Sequence, residues 1–259
     1  MKEIRVTSYT LKLIAIVTML TDHTGAMLGD VYGWGGWYWI MRRIGRIAFP
    51  IFAFLLVEGF SHTRNRWLYL RNLLLFALIA EWPFDMLFFR ERPGAGMNIF
   101  WTLSLGLLGM IASDAVLRRC REGHYIPPVT VVCTVLPMLA MAFAGEFLRV
   151  DYNAWGVILI ALIYYADGLS PYLSEWFRDS RLVKNILASA AVLLWMVLYD
   201  WSRGWIIECY GAAALLPILL YNGERGSYRL SKWFFYGFYP AHIFLLFLLQ
   251  TALLDTRFS

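Results

Sequence analysis

Charged residues are scarce in this chain. Only 16 % of its 259 residues are Asp, Glu, Lys or Arg, whereas 60 % are apolar and 17 % are aromatic. Soluble domains contain about 25 % charged and about 45–50 % apolar residues. This composition excludes a disordered chain, a nucleic-acid-binding protein and an ordinary soluble enzyme. It indicates a protein that crosses a membrane several times.

Cysteines are few, and the common catalytic motifs are absent. Cys120, Cys133 and Cys209 are far apart and show no CxxC or Cys/His spacing, so we expect no metal site. The sequence contains no GxSxG, HExxH or Walker motif, which leaves serine hydrolase, zincin and P-loop chemistry without support. No small-residue cleavage site follows the first apolar run, so we expect that run to remain as a membrane span.

Nine apolar segments are candidate membrane spans, which need about 17–25 residues each. The sixth is the weakest, because it is short and ends at Asp167. We therefore expect an all-α fold in which residues 1–259 form one integral membrane domain of about nine transmembrane helices. The nine segments are 11–29, 44–61, 73–89, 99–117, 127–145, 152–167, 183–200, 205–221 and 233–254.

The basic residues between these segments predict the orientation. If the N-terminus is cytoplasmic, each of the five inner segments carries three Lys or Arg residues, and the outer connections together carry fewer. We expect a multi-pass protein of a bacterial inner or plasma membrane, with its N-terminus inside and its C-terminus outside. The inner residues are Lys2, Arg5, Lys12, Arg64, Arg66, Arg71, Arg118, Arg119, Arg121, Arg178, Arg181, Lys184, Arg225, Arg229 and Lys232.

Four ionisable residues of the first two segments are candidates for a functional site, because charge inside a membrane costs several kcal/mol. Lys12 and His23 are eleven residues apart, which places them about 20° apart around a helix and about 16 Å apart along it. One face therefore carries a cation near its inner end and an imidazole well inside the membrane. Asp22 points about 100° away from His23, so we expect its partner on another helix, and Arg46 lies at a comparable depth.

The second and third segments add acidic residues and a predicted kink. Pro50 lacks a backbone donor, which predicts a kink, and Glu58 lies near the cytoplasmic end of the same segment. Glu81 and Asp85 are four residues apart and share a helix face, where two carboxylates repel each other. Either one of them is protonated or a cation lies between them. The structural interpretation is a buried ion pair with Arg46, and the functional one is a carboxylate near the reacting group.

Two later polar residues and one basic stretch complete the candidates. Asn98 enters the fourth segment, where hydrogen bonding between helices is the simplest role. His242 follows a proline in the ninth segment and is either a bonded interior residue or part of the site. The stretch 62–71 is basic and aromatic, which suits either a lipid interface or, through Arg64 and Arg66, the phosphates of a cosubstrate.

Several short stretches, in order along the chain, resemble the TraX family. They are the first segment with Asp22 and His23, residues 45–53 (GRIAFPIFA), residues 152–156 (YNAWG) and residues 238–242 (FYPAH). TraX of conjugative plasmids is the membrane protein that N-acetylates the amino-terminal residue of pilin. The spacing from Lys12 to His23 is also similar, more weakly, to a pattern in the first span of the acyltransferase-three family.

The resemblance implies a membrane acyltransferase. An acetyl or other acyl group would pass from cytoplasmic acetyl-CoA, used as a cosubstrate and without a metal, to an amine or hydroxyl. The acceptor would be a protein N-terminus like that of pilin, or an envelope glycan. His23 would be the general base or would carry the acyl group covalently, while Asp22 and Arg46 brace the site.

The remaining candidates would bind the cosubstrate or support the site. Lys12, Arg64 and Arg66 would receive the nucleotide phosphates. The second tier of polar residues comprises Glu58, Glu81, Asp85, Asn98 and His242. Two other functions stay open at this point. A proton-coupled transporter or flippase would use the buried carboxylates and histidines as a relay, and a structural partner in a secretion or conjugation complex would use them only for packing.

Overall fold

A computed structural model describes residues 6–175, 179–227 and 230–258, without the side chains of residues 257 and 258. Within these ranges the regular elements are all helices, and no strand forms. The basic residues Lys2, Arg5, Arg178 and Arg229 of the orientation argument lie outside them. The helices are α1 (Ser8–Tyr32), α2 (Gly36–Gly45), α3 (Ala48–His62), α4 (Arg66–Phe88), α5 (Ile99–Glu122), α6 (Pro127–Phe147), α7 (Asn153–Ser174), α8 (Ser180–Arg203), a 3-10 helix (Glu208–Ala214), α9 (Leu215–Leu219) and α10 (Lys232–Phe258).

The described chain crosses the bundle nine times. Short connections make successive long helices antiparallel, so the end where α1 begins, the Ser8 end, alternates with the opposite Tyr32 end. The 3-10 helix and α9 return along α8: Asp200 caps the start of the 3-10 helix, and Asn185 donates to the carbonyls of Leu219 and Tyr221. Helix α10 then runs parallel to α1 and reaches the Tyr32 end.

Seven helical segments are long and apolar enough to cross a membrane: Ser8–Tyr32, Gly36–His62, Ile99–Glu122, Pro127–Phe147, Asn153–Ser174, Ser180–Arg203 and Lys232–Thr256. The sixth predicted segment was drawn too short, because α7 continues past Asp167 to Ser174. The stretch Glu208–Leu219 is apolar but only about 20 Å long. These findings confirm a polytopic helical bundle, whereas the count of nine membrane spans and the cytoplasmic N-terminus stay predictions.

The second crossing is interrupted, although not where the sequence predicted. The chain leaves α2 at Gly45 and starts α3 at Ala48, so the break lies at Arg46 and Ile47. Pro50 belongs to the first turn of α3, where backbone N–H groups have no partner within the helix. A proline there removes no helical hydrogen bond. The kink predicted at Pro50 is therefore a helix break four residues earlier, and it presents Arg46 to the bundle interior.

Glycines allow close packing around this break. A Cβ at Gly45 would overlap the carboxylate of Asp22, and a Cβ at Gly211 would lie 2.7 Å from the carbonyl oxygen of Arg46. Only glycine leaves room for α1 and the 3-10 helix to approach the break from two sides. The sequence thus brings Asp22, Arg46 and the 3-10 helix into one place.

The interior and the outer surface of the bundle are both apolar. Trp195, Phe54 and Ile160 are almost completely buried where α3, α7 and α8 meet. Phe143 and Phe147 on α6 are 74 % and 79 % exposed. A helix of a soluble protein carries polar residues on such a face, so this surface suits lipid.

Candidate functional site

Two histidines from opposite ends of the sequence meet inside the bundle. Nδ1 of His23 on α1 lies 2.8 Å from Nε2 of His242 on α10. Nδ1 of His242 lies 2.8 Å from the carbonyl oxygen of Phe238, one turn earlier on α10. The ring of His23 is also in edge contact with the rings of Phe88 and Tyr239. We call His23 and His242 the histidine pair.

Beside the pair lies an ionic network that we call the arginine cluster: Asp22, Arg42, Arg46, Tyr152 and Glu208. Arg46 donates to Asp22 at 2.7 Å, to Glu208 at 3.0 Å and to the hydroxyl of Tyr152 at 3.1 Å. Its Nε donates to the carbonyl of Arg42, whose own guanidinium binds the second oxygen of Asp22. The prediction that Asp22 finds its partner on another helix, at the depth of Arg46, is confirmed.

The arginine cluster is built to hold helices together. Each of the three guanidinium nitrogens of Arg46 has a bonded acceptor, and its side chain is only 11 % exposed. Tyr152, the residue directly before α7, adopts a left-handed backbone with φ of 62°. Backbone in this region is strained for a residue with a side chain and persists only where its surroundings hold it. The bond to Arg46 and the stacking on Phe49, with ring centroids 4.2 Å apart, are such surroundings.

A large cavity of about 790 Å³ opens at the Ser8 end. Three cations line it, Lys12, Arg225 and Lys232, and its deeper wall is mostly apolar and aromatic. Tyr239, which contacts both histidines of the pair, belongs to that deeper wall. Cavities of about 300–1,000 Å³ with this kind of lining are typical of small-molecule sites.

A smaller cavity of about 430 Å³ lies at the Tyr32 end. Phe84 and Phe89 at the end of α4 line one side, and the loop 149–153 lines the other. Burial raises the pKa of the Asp151 carboxyl in this loop to about 6, against the opposing effect of Arg46. The small cavity therefore carries a carboxylate that changes its charge near neutral pH.

The histidine pair lies between the two cavities. Tyr239 separates it from the large cavity. On the other side, Phe88 contacts His23 and also packs on Phe84, which lines the small cavity, with ring centroids 5.0 Å apart. Aromatic contacts therefore connect the histidines to the linings of both cavities, through Tyr239 on one side and through Phe88 and Phe84 on the other.

Glu58 lies in a second ionic group at the Ser8 end. Its carboxylate binds Arg181 at 3.0 Å, Lys184 at 2.8 Å and the hydroxyl of Tyr221 at 3.2 Å. Lys184 also binds Asp167 at 2.7 Å. Glu58 lines the large cavity, but these contacts join α3, α7, α8 and the segment after α9, which is a structural role.

The predicted ion pair between Arg46 and the carboxylates of α4 is wrong, because Arg46 is bound to Asp22 and Glu208 instead. Glu81 accepts hydrogen bonds from Asn98 and from the indole of Trp101. Asp85 has a buried oxygen without a hydrogen-bond partner in the described chain.

Asn98 has the structural role proposed for it. Its oxygen caps α5 by accepting from the amide of Phe100, and its amide group donates to the carbonyl of Ala77 on α4. The same amide donates to Glu81. The residue therefore joins α4 and α5 at the Tyr32 end.

Arg64 and Arg66 do not themselves line the large cavity, although Thr63 and Asn65, on either side of Arg64, do. Arg66 forms an ion pair with Asp114, and its guanidinium lies over the ring of Phe60. Arg64 is exposed and does not line the cavity. Among the three residues predicted to bind phosphates, Lys12 alone lines the cavity.

Several residues of the site were missed from the sequence. Glu208 could have been found, since it is an ionisable residue within the predicted span 205–221. Arg225 and Lys232 had been assigned only to membrane orientation, and their place at the large cavity depends on how α10 packs on α1 and α4. Tyr239 lies in the stretch 238–242 and Asp151 directly precedes the stretch 152–156, and the sequence gives neither residue a role of its own. In the described ranges no group of His, Cys, Asp and Glu is arranged to hold a metal ion.

Comparisons with known proteins give one family and one curated relative. A family model described as "TraX protein" matches residues 7–250. A protein of Dichelobacter nodosus described as "Probable fimbrial assembly protein FimC, serogroup H1" is 30 % identical over 263 residues, which is 95 % of this chain and 96 % of that protein. No solved structure matches the chain.

Proposed function

This chain belongs to the TraX family, and we propose that it is a membrane acyltransferase that acts in the assembly of pili or fimbriae. It uses an acyl-CoA such as acetyl-CoA as cosubstrate and acylates an amine or a hydroxyl. The role in assembly is proposed because the Dichelobacter nodosus relative, described as a probable fimbrial assembly protein, is similar along its whole length. A pilin-type protein N-terminus is then the first acceptor to test, and an envelope glycan is the second.

The observation that carries this proposal is the pair of cavities that approach the histidine pair from opposite ends. An acyl-CoA has a phosphate-rich head and a thin arm that ends in the thioester. The large cavity has cations at its Ser8 end and an apolar interior that reaches Tyr239, next to His23. On the predicted orientation this cavity opens to the cytoplasm, where acyl-CoA is found.

In the proposed reaction, His23 is the general base. Its imidazole accepts the proton of the acceptor amine or hydroxyl while that group attacks the thioester carbon. The carbon–sulfur bond breaks, and the leaving thiolate takes the proton from the imidazolium. An acyl-imidazole formed on His23 is the alternative route to the same product. Lys12, Arg225 and Lys232 bind the phosphates, and the arginine cluster fixes α1 beside its reacting residue.

The acceptor enters through the small cavity in this proposal. That cavity opens at the Tyr32 end, opposite to the large one, so donor and acceptor arrive from different sides. Two carboxylates, Asp151 and Glu146, and one cation, Arg149, line it, and this excess of acidic groups suits a cationic acceptor better than an anionic one. Only the acyl group then has to pass the rings of Tyr239 and Phe88, and the nucleotide part of the acyl-CoA stays at the Ser8 end.

The test is transfer of label from acetyl-CoA. Purified protein in lipid nanodiscs is incubated with labelled acetyl-CoA and, separately, with a pilin-type peptide and with envelope fractions. We expect label on an acceptor, and a loss of about 100-fold or more in His23→Ala, because general bases contribute about 10²–10⁴-fold. Thr21→Val is the matched control, since its hydroxyl only bonds the carbonyl of Val17 on the same helix.

A His23→Ala protein that folds and keeps full transfer would reject the role of His23. The same cavities at opposite ends are also what a proton-coupled transporter would need. Solute uptake into proteoliposomes that follows a proton gradient, with no dependence on acyl-CoA and no labelled acceptor, would favour that function and overturn the acyltransferase.

A further inference from the structure

The directions of the hydrogen bonds at the histidine pair determine where the protons lie. The carbonyl of Phe238 only accepts, so Nδ1 of His242, 2.8 Å away, carries a proton. In the neutral ring of His242, Nε2 then holds a lone pair. Nδ1 of His23, 2.8 Å from it, is therefore the donor, and Nε2 of a neutral His23 is left with a lone pair.

The geometry of the rings supports a directed hydrogen bond. Their planes are 1° apart and their centroids are 5.1 Å apart. Two stacked rings would bring many atoms into contact at about 3.5–4.0 Å, whereas here the closest approach is the 2.8 Å between two nitrogens. The rings thus meet edge to edge in one plane. Edge contacts from Phe88 and Tyr239 hold the ring of His23 in this orientation.

We propose that His242 is a positioning residue: it holds His23 in the tautomer whose Nε2 is unprotonated and able to act as the base. The kinetic consequence rests on the function proposed above, whereas the tautomer does not. When Nε2 of His23 takes the proton of the acceptor, Nδ1–H of the imidazolium still donates to His242. That bond is then charge-assisted and stronger than before, so His242 also stabilises the cation that the reaction creates.

The chain allows a direct measurement, because it has only four histidines. Protein labelled with ¹⁵N-histidine in lipid nanodiscs should show both residues of the pair with the proton on Nδ1, and single-histidine substitutions assign the signals. In His242→Leu we expect His23 to move to the tautomer with the proton on Nε2, which free imidazole side chains favour. A proton on Nε2 of His23 in the unchanged protein, or no change of tautomer in His242→Leu, would overturn the proposal.

The second measurement separates positioning from packing. In His242→Leu we expect kcat to fall by about tenfold or more, since orienting groups have effects of this size. KM for acyl-CoA stays unchanged, because His242 does not line the large cavity. His242→Gln restores most of kcat, since its amide oxygen can accept from Nδ1 of His23. Thr251→Val is the matched control on α10, where the hydroxyl bonds the carbonyl of Phe247 on its own helix.

The outcomes distinguish the two proposals. If no acceptor is labelled, the proposed function fails, and if His23→Ala keeps full transfer, only the catalytic role of His23 fails. In both cases the tautomer measurement still decides whether His242 positions the ring of His23. If His23→Ala is inactive but His242→Gln is folded and as impaired as His242→Leu, the positioning role is overturned and the acyltransferase stands.

Discussion

Asp22 and His23 are neighbours on α1, yet their surroundings differ. Both carboxylate oxygens of Asp22 are bound by arginines, and each guanidinium nitrogen of Arg46 has an acceptor. His23 uses one ring nitrogen for His242, and its other nitrogen has no hydrogen bond in the described structure. A polar side chain whose donors and acceptors are all used in internal hydrogen bonds stabilises the fold. A side chain with an unused donor or acceptor can bind a substrate. The comparison therefore supports the proposal that Asp22 and Arg46 hold the fold while His23 takes part in the chemistry.

The strongest test of this difference is to remove Arg46, the central residue of the arginine cluster. Arg46→Met leaves Asp22 and Glu208 buried with less compensation, and loss of one partner from a buried ion pair costs about 3–5 kcal/mol. We expect a large fall in Tm in detergent or nanodiscs. Adding Asp22→Asn to Arg46→Met should recover part of the loss, because one uncompensated charge is removed.

Arg43→Met is the matched control for that experiment. Arg43 is exposed and lies over the ring of Tyr210, so its removal should change Tm only slightly. Equal Tm values for the Arg46 and Arg43 variants would contradict the supporting role of the arginine cluster.

The cations at the Ser8 end differ in position relative to the large cavity. Arg66 is bound to Asp114, whereas Lys12 and Lys232 line the large cavity. We expect Lys12→Ala and Lys232→Ala each to raise KM for acyl-CoA about tenfold, which is the size of one lost hydrogen bond to a charged group. The measurement is initial rate against acyl-CoA concentration, with kcat little changed.

Arg64→Ala is the control for these variants, because Arg64 is exposed and does not line the cavity. Its KM should equal that of the unchanged protein. A raised KM in Arg64→Ala together with an unchanged KM in Lys12→Ala would show that the stretch 62–71 binds the phosphates, as the sequence predicts.

The smallest effect concerns the carboxyl of Asp151, which lines the small cavity. The pKa of Asp151 is raised from its ordinary value of 3.8 to about 6, so the folded protein holds this proton more strongly than the unfolded chain. The contribution to stability is fully present below about pH 4 and is lost as pH rises through 6, by about 1 kcal/mol between pH 5 and pH 7.

Asp151→Asn removes that titration. We expect the difference in Tm, taken as the value at pH 7 minus the value at pH 5, to be more positive in this variant than in the unchanged protein. Glu91→Gln, at an exposed loop residue, is the control and should show the same difference as the unchanged protein. An identical pH dependence with and without Asp151 would show that its burial has no such effect.

The sequence predicted those features that depend on the hydropathy of one segment or on the position of a residue along one helix. Each of the nine apolar segments overlaps a helix, and the depth argument paired Asp22 with Arg46. The predicted kink at Pro50 was displaced to Arg46, because proline fits the first turn of a helix and the chain could break just before it.

Contacts between distant segments could not be predicted in this way. His23 and His242 were each noted, but the bond between them joins residues 219 positions apart. Arg64 and Arg66 were favoured for their local sequence, whereas the charge that reaches the large cavity also comes from Arg225 and Lys232 near the start of α10. Helix packing decides such positions, and one sequence carries no periodic signal for it.

The thin aromatic layer around the histidine pair has an electrical consequence. Phe88 and Tyr239 stand between spaces that open at opposite ends of the bundle. In a membrane under voltage these rings are the insulator, because a continuous column of water past two imidazoles would conduct protons. In the proposed reaction the acyl group crosses this same layer, so Phe88 and Tyr239 have to exclude water and still admit an acyl chain.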